Sequence, residues 1–283
     1  MDLADLKKWS VKVRQLSLQA SEQIMAIYQS DYDIEQKADN TPVTTADKAA
    51  HEVIVQGLLR LTPQFPVLSE ESVEIPFAER TTWETYWLVD PLDGTQEFID
   101  RNGHFTVNIA LIHQHKAVLG VVTVPISRLS YFAVVGEGAY KQIGGQQSEK
   151  ICVRTLDGHP VMVAGSRSHR GKLLQQYLSN LGECEVFYVG SALKSCLVAE
   201  GKVDIYPRLG PTSEWDTAAA QCIVEEAGGA ITDIDLQPLR YNTKASLLNP
   251  YFFVFGGGDH DWRQYLPEGL FYEGSHDDST IGC

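Results

Sequence analysis

At residues 144–147, Gly-Gly-Gln-Gln, the hydrophobic rhythm of the chain changes. Before this turn, short apolar runs at 66–68, 86–89, 105–112, 117–124, 129–135 and 139–143 read as strands. Turn signals such as Gly136-Glu137-Gly138 separate the later ones, so that half contains antiparallel hairpins. After it, strand-like runs at 161–164, 186–189, 203–206, 230–234 and 251–255 alternate with helix-like segments at 172–181, 192–200 and 215–227, as in a wound α/β unit. Two lobes sharing a cleft are expected: an N-terminal α+β lobe over 1–150 and a C-terminal α/β lobe over 151–273. Residues 274–283 have no periodicity and are expected to fray. There is no internal repeat.

Two helices open the chain. Leu3, Leu6, Val13, Leu16, Ala20, Ile24 and Ile27 recur at helical spacing and predict an amphipathic helix packed on a core. Its polar face mixes Asp5 and Glu22 with Lys7, Lys12 and Arg14, without the basic bias of a membrane-surface helix. A second helix is expected from Ala46 to Leu61, with Thr44 and Asp47 at capping-box spacing.

Lys and Arg number 23 against 37 Asp and Glu, a formal charge of −14, which argues against a nucleic-acid polymer as partner. Such acidity would also repel a small anionic substrate unless something local reversed the sign. Cys152, Cys184, Cys196, Cys222 and Cys283 form no C-x-x-C pair, so reduced thiols in a cytoplasmic protein are expected. The first residues carry acids where a signal peptide needs bases, and no apolar run approaches the ~18 residues of a spanning helix. Neither secretion nor an integral membrane segment is expected.

The chemistry concentrates in Trp87-Leu88-Val89-Asp90-Pro91-Leu92-Asp93-Gly94-Thr95. An apolar strand delivers Asp90, Pro91 is expected to stop the ladder, and Gly94 permits a tight turn, so two carboxylates sit on one stiff loop. Pro66-Val67-Leu68-Ser69-Glu70-Glu71 repeats the design, and Asp216 falls in the first turn of a helix. Oxygen ligands from several elements, without His or Cys, suit Mg²⁺. Two such ions ~3.5–4 Å apart can grip both the attacking and leaving oxygens of a phosphate ester. Taken singly, each acid also fits an ordinary role: a plain turn at 90–94, a helix-start carboxylate at Asp216, half of a capping box at Asp47.

Together, Asp90-Pro91-Leu92-Asp93-Gly94-Thr95, Glu70-Glu71 and Trp215-Asp216-Thr217-Ala218-Ala219 resemble the three-part signature of the inositol monophosphatase superfamily of Mg²⁺-dependent, lithium-sensitive phosphatases, over Thr44 to Gly229. The run from Gly94 to Leu111 and Tyr206-Pro207-Arg208-Leu209-Gly210-Pro211-Thr212-Ser213-Glu214-Trp215-Asp216 resemble its CysQ branch, the 3′(2′),5′-bisphosphate nucleotidases. The resemblance implies a layered α-β-α-β-α sandwich with mixed, partly antiparallel sheets. It implies that Glu70, Asp90 and the Leu92 carbonyl hold one Mg²⁺ and that Asp90, Asp93 and Asp216 hold a second, with a third ion bound in some members. It makes Asp47, Thr95 and Glu70 the catalytic set, Asp47 and Thr95 acting on the attacking water, and brings the Gly94 and Thr95 amides to the scissile phosphate. His104 and Ala220 depart from the branch pattern, and neither is an expected ligand.

A second anion site is expected in the C-terminal half. Ser166-Arg167-Ser168-His169-Arg170 and Gly190-Ser191-Ala192-Leu193-Lys194 each lie between a strand and a helix, where free amides can receive phosphate. By resemblance, Ser166, His169, Gly190, Lys194 and Arg208 contact the nucleotide, with Lys194 and Arg208 gripping the phosphate that stays; Arg167 and Arg170 read as solvated surface charges. Glu70, Leu92, Asp93, Gly94, Thr95 and Asp216 complete the expected substrate contacts. The implied reaction is Mg²⁺-dependent hydrolysis of 3′-phosphoadenosine 5′-phosphate to AMP and phosphate, clearing a by-product of sulfate assimilation. An inositol or sugar phosphatase on the same scaffold, or a catalytically silent metal- or nucleotide-sensing module, are the alternatives. Monomer or homodimer is open, as is peripheral attachment to the cytoplasmic face of the inner membrane.

Overall fold

A computed structural model describes residues 1–30, 34–36, 42–72, 74–156, 160–166 and 171–270. The fraying expected of 274–283 lies outside them. Helix α1 (Leu3–Tyr28) starts where the Asp2 side chain accepts from the Ala4 amide at 3.1 Å. A two-stranded ribbon, β1 (Ile34–Gln36) and β2 (Pro42–Thr44), leads into α2 (Thr45–Leu61), which opens on the expected Thr44/Asp47 capping box. Neither ribbon strand is marked by an apolar run in the sequence.

Seven strands in chain order form the larger sheet: β3 (Val67–Ser69), β4 (Thr85–Asp93), β5 (Thr106–His113), β6 (Lys116–Val124), β7 (Leu129–Val134), β8 (Ala139–Ile143) and β9 (Glu149–Ile151). Only β3 runs parallel to its neighbour; the rest form an antiparallel meander. Short helices α3 (Phe77–Arg80) and α4 (Thr95–Ile99) flank β4. The smaller sheet contains β10 (Val161–Gly165), β11 (Cys184–Tyr188), β12 (Ile205–Arg208), β13 (Ala230–Asp233) and β14 (Phe252–Phe255) in the order β11-β10-β12-β14-β13. Helices α5 (Lys172–Leu181) and α6 (Leu193–Ala199) connect its three parallel strands, and α7 (Glu214–Glu226) leads to β13. No helix separates β13 from β14, and that pair is antiparallel.

Both faces of the large sheet are buried. Trp87, Val89, Val107, Ile109 and Val121 pack on α1 and α2, while Tyr86, Leu88, Ala110, Ile112 and Val122 face the layer of α6 and α7. That layer also packs on Tyr206, Ile231, Phe252 and Val254 of the small sheet, whose far face covers Tyr177 of α5 and Trp262. The result is a five-layer α-β-α-β-α sandwich. Period-two alternation along β4 puts Asp90 on the same face as Tyr86 and Leu88, toward α7.

The α7 layer sits very close to β6. A Cβ on Gly120 would strike the Ala219 carbonyl. Gly120→Ala is therefore expected to lower the unfolding free energy by about 1–3 kcal/mol in urea denaturation. An unchanged midpoint would mean that α7 can retreat from the sheet at no cost.

The described cysteines Cys152, Cys184, Cys196 and Cys222 are free thiols. Among the described residues, no helix is long and apolar enough to cross a membrane.

Candidate active site

Pro91 does not end its strand. Asp90 pairs with Asn108, the register slips by one residue, and Asp93 pairs with Thr106, so β4 runs on to Asp93 through a bulge. Proline has no N–H to give the ladder, and the extra residue absorbs that loss. The Leu92 amide turns back to Asp90 Oδ1 at 3.0 Å, an Asx turn that fixes this carboxylate. Asp93 is gripped at Oδ2 by the Ala192 amide (2.7 Å) and by Asn108 Nδ2 (3.1 Å). Asn108 was not singled out from the sequence, yet a lone amide in the apolar strand 105–112 was a readable signal.

Asp216 arrives from α7. The Ser213 amide donates to its Oδ2 at 2.8 Å in a reciprocal cap, and Asn249 Nδ2 holds the Ser213 carbonyl at 2.7 Å. One carboxylate oxygen from each of Asp90, Asp93 and Asp216 lies within 4.8 Å of the others. Glu70 joins them in the wall of a cleft of about 490 Å³, with Leu92, Gly94, Thr95, Ser166, Ser191, Lys194, Tyr206 and Arg208. Gly190 is buried and does not line the cleft; Ser191, the next residue, does. His169 lies outside the described residues, as do Arg167 and Arg170. Arg208, expected just beyond its strand, is the last residue of β12.

Asp47 is buried and reaches the cleft through Thr95. Its Oδ2 accepts from the Thr44 amide (2.7 Å) and hydroxyl (2.6 Å), while its Oδ1 accepts from the Thr95 hydroxyl at 3.0 Å. The cap and the cleft contact thus use different oxygens of one carboxylate.

Crowding of acids sets the electrostatics. Burial, followed by the charges of Glu70, Asp93 and Asp216, raises the proton affinity of Asp90 well above the carboxylate range. Asp216 is pushed up to about 8 by burial and by Asp93 and Glu70. Asp93 is raised by burial, partly offset by Lys194 and by its hydrogen bonds to Asn108 and Ala192. Lys194 is pulled down to about 8 by burial, with Asp93 opposing. Without a cation, this pocket favours protons. Buried oxygen donors that repel one another fit a small hard dication, which would displace those protons.

A carboxyl whose folded pKa lies above its unfolded value stabilises the fold below the unfolded pKa, and that contribution disappears as pH rises through the folded one. Metal-free protein is therefore expected to lose stability between about pH 4 and about pH 8, with Mg²⁺ restoring more at the upper end. Lys194 acts oppositely, but only above about pH 8. Thermal melts in chelator and in Mg²⁺ across this range check it; equal Mg²⁺ stabilisation at both ends would contradict it.

Buried acids with only oxygen ligands, set between the sheets of a layered α/β sandwich, form the kind of cleft in which metal-dependent phosphate-ester hydrolases work. The chain belongs to the inositol monophosphatase family, whose sequence model matches residues 5–255. It is 48% identical over 245 residues to the 3′(2′),5′-bisphosphate nucleotidase CysQ of Escherichia coli (strain K12), covering 86% of this chain and 98% of that one. It is 41% identical over 249 residues to the Haemophilus influenzae protein of the same name, covering 88% and 93%. Among solved structures it resembles CysQ from Bacteroides thetaiotaomicron, a bacterial member of the inositol monophosphatase family. The TM-score is 0.78 at 42% identity, with 89% of this chain and 98% of that one covered. Extragenic suppressor protein suhB from Bartonella henselae gives a TM-score of 0.74 at 26% identity, covering 90% and 97%.

Proposed function

We propose that the protein is a 3′(2′),5′-bisphosphate nucleotidase that removes the 3′-phosphate of 3′-phosphoadenosine 5′-phosphate, yielding AMP and phosphate, and so clears a by-product of sulfate assimilation. The similarity to CysQ proteins over nearly their whole length supports the substrate class. The structural observation that carries it is one cleft with Asp90, Asp93 and Asp216 alongside two cations, Lys194 and Arg208. Two phosphates need two such places. A smaller hollow of about 280 Å³ shares Ser166, Tyr206 and Arg208 with the cleft and adds Leu174, Pro207, Leu209 and Tyr251, an apolar wall suited to a base.

Two Mg²⁺, the first held by Glu70, Asp90 and the Leu92 carbonyl and the second by Asp90, Asp93 and Asp216, with room in the family pattern for a third, would supply the positive charge that phosphoryl transfer needs. The protein's own groups do the rest. The Thr95 hydroxyl donates a hydrogen bond to Asp47 Oδ1, which leaves its oxygen lone pairs free to accept from a water poised for attack. Burial raises the proton affinity of Asp47 against the lowering pull of its Thr44 and Thr95 hydrogen bonds, which suits it to take a proton passed through Thr95. The Gly94 and Thr95 amides face the scissile phosphate, while Lys194 and Arg208 hold the one that remains.

A phosphate-release panel tests the reading. Adenosine 3′,5′-bisphosphate is expected to exceed inositol monophosphate by at least about 100-fold in kcat/KM, a difference of about 2.7 kcal/mol. Activity should require Mg²⁺ and fall with Li⁺. Preference for the inositol ester would replace this reading with the sugar-phosphatase one, and tight nucleotide binding without turnover would replace it with a sensing module.

A further inference from the structure

Ser191 occupies a left-handed backbone conformation, φ +55°, although it carries a side chain. Non-glycine residues persist there only when their surroundings demand it. Here the Ser191 hydroxyl, the Ser191 carbonyl and the Ala192 amide are all engaged. Its hydroxyl lies 2.7 Å from both the Asp93 and His104 carbonyl oxygens and shares its proton between them. Its carbonyl accepts from Lys194 Nζ at 2.8 Å, and the next amide, of Ala192, donates to Asp93 Oδ2.

The bond to the Asp93 carbonyl matters most. The carbonyl and N–H of a trans peptide point in opposite directions, so pinning Asp93 O on the Ser191 side turns the Gly94 N–H to the other side. No group among the described residues takes that amide's hydrogen bond. Gly94, at φ +91° and ψ 49°, has no side chain to resist a peptide flip, and it can carry none, because a Cβ there would collide with the Ser191 hydroxyl.

We propose that Ser191 is a positioning residue whose hydroxyl locks the Asp93–Gly94 peptide, so that the Gly94 N–H is presented to a phosphoryl oxygen before substrate arrives. This rests on the phosphatase reading above. Donors fixed in advance cost no reorganisation when charge develops, and without the lock the peptide would spend time turned away.

Ser191→Gly is the test, because it relieves the left-handed strain, keeps every backbone partner and removes the hydroxyl together with the single carbon that carries it. Inorganic phosphate binding to the Mg²⁺-loaded protein, read by calorimetry, is expected to weaken about 5- to 50-fold. The kcat should fall about 10- to 100-fold, with KM for the bisphosphate nucleotide moving less than about threefold, since Lys194 and Arg208 keep their places. Ser191→Thr, which retains a hydroxyl, should recover most of both. Unchanged phosphate affinity in Ser191→Gly overturns the proposal, whether kcat is unaltered or falls in step with melting temperature. If the native protein releases phosphate from no ester, the phosphatase reading fails, and phosphate calorimetry still decides whether the lock exists.

Discussion

Asp90→Asn is expected to abolish phosphate release while making the metal-free protein harder to unfold. Asp90 is 1% exposed and closest to the centre of its cluster's repulsion, facing Glu70, Asp93 and Asp216 at once. Asparagine keeps the oxygen that accepts from the Leu92 amide and places an N–H₂ where a proton otherwise sits between Asp90 and Asp216. The fold therefore loses a charge and keeps the acceptor that the Leu92 amide uses. With the carboxylate that the proposed reading shares between two cations gone, the charge neutralisation those cations would supply is lost, several kcal/mol of barrier or at least about 10³-fold in rate. In chelator at about pH 8, the melting temperature should rise by about 2–6 °C, the yield of 1–2 kcal/mol in a chain of this size. Near pH 5 the gain should shrink, because the native acids carry protons there anyway. Mg²⁺ should stabilise the native protein and leave the variant almost unmoved. A variant that kept its activity, or that melted lower in chelator at pH 8, would contradict the view that these acids are held together against their own repulsion for a bound cation.

The parts of this site that were legible in the sequence are those built from local geometry. Asp47 announces itself by its spacing from Thr44, Asp216 by its place at a helix start, and Asp90 and Asp93 by an apolar strand running into a Pro-Leu-Asp-Gly turn. Neighbours in sequence hold the side chains of Asp47, Asp216 and Asp90, whereas that of Asp93 is held from a distance by Asn108 and Ala192. What was not legible comes from pairing across distance. The continuation of β4 past Pro91 is decided by β5, which offers Asn108 and Thr106 at positions that re-engage Asp93 after the bulge. The joint at Ser191 links residues 98 apart. No pattern in Gly190-Ser191-Ala192-Leu193-Lys194 could say that the serine, lying between two residues singled out as contacts, would be the one bonded to the Asp93 carbonyl. The antiparallel β13–β14 pair also departs from the βα rhythm, although the missing helix between 234 and 251 left that outcome open.

Substrate preference should break at Arg208. Its Nη2 donates to the Pro211 carbonyl at 2.6 Å, which braces the guanidinium, while its buried Nε has no partner among the described residues. A braced guanidinium with unused donors is suited to planar, two-point recognition of phosphate. Lys194 is 5% exposed and spends one of its three donors on the Ser191 carbonyl, with its ammonium 5.3 Å from the centre of the Tyr206 ring. Arg208→Ala is expected to raise KM for adenosine 3′,5′-bisphosphate about 10- to 100-fold, the range of a hydrogen bond to a charged group at 1.5–3 kcal/mol. The kcat should change less than about threefold, because the retained phosphate takes no part in bond breaking. For a nucleoside 2′-monophosphate, which lacks that phosphate, the native and variant proteins should behave alike. The Lys194 contribution has a pH signature of its own. With the ammonium pulled down to about 8 in the free protein, the KM of the native protein should climb above that pH, and Lys194→Met should flatten the climb while Arg208→Ala preserves it. A KM rise of equal size for both substrates in Arg208→Ala would place the guanidinium on the scissile phosphate instead, and the two phosphate positions in the cleft would then have to be exchanged.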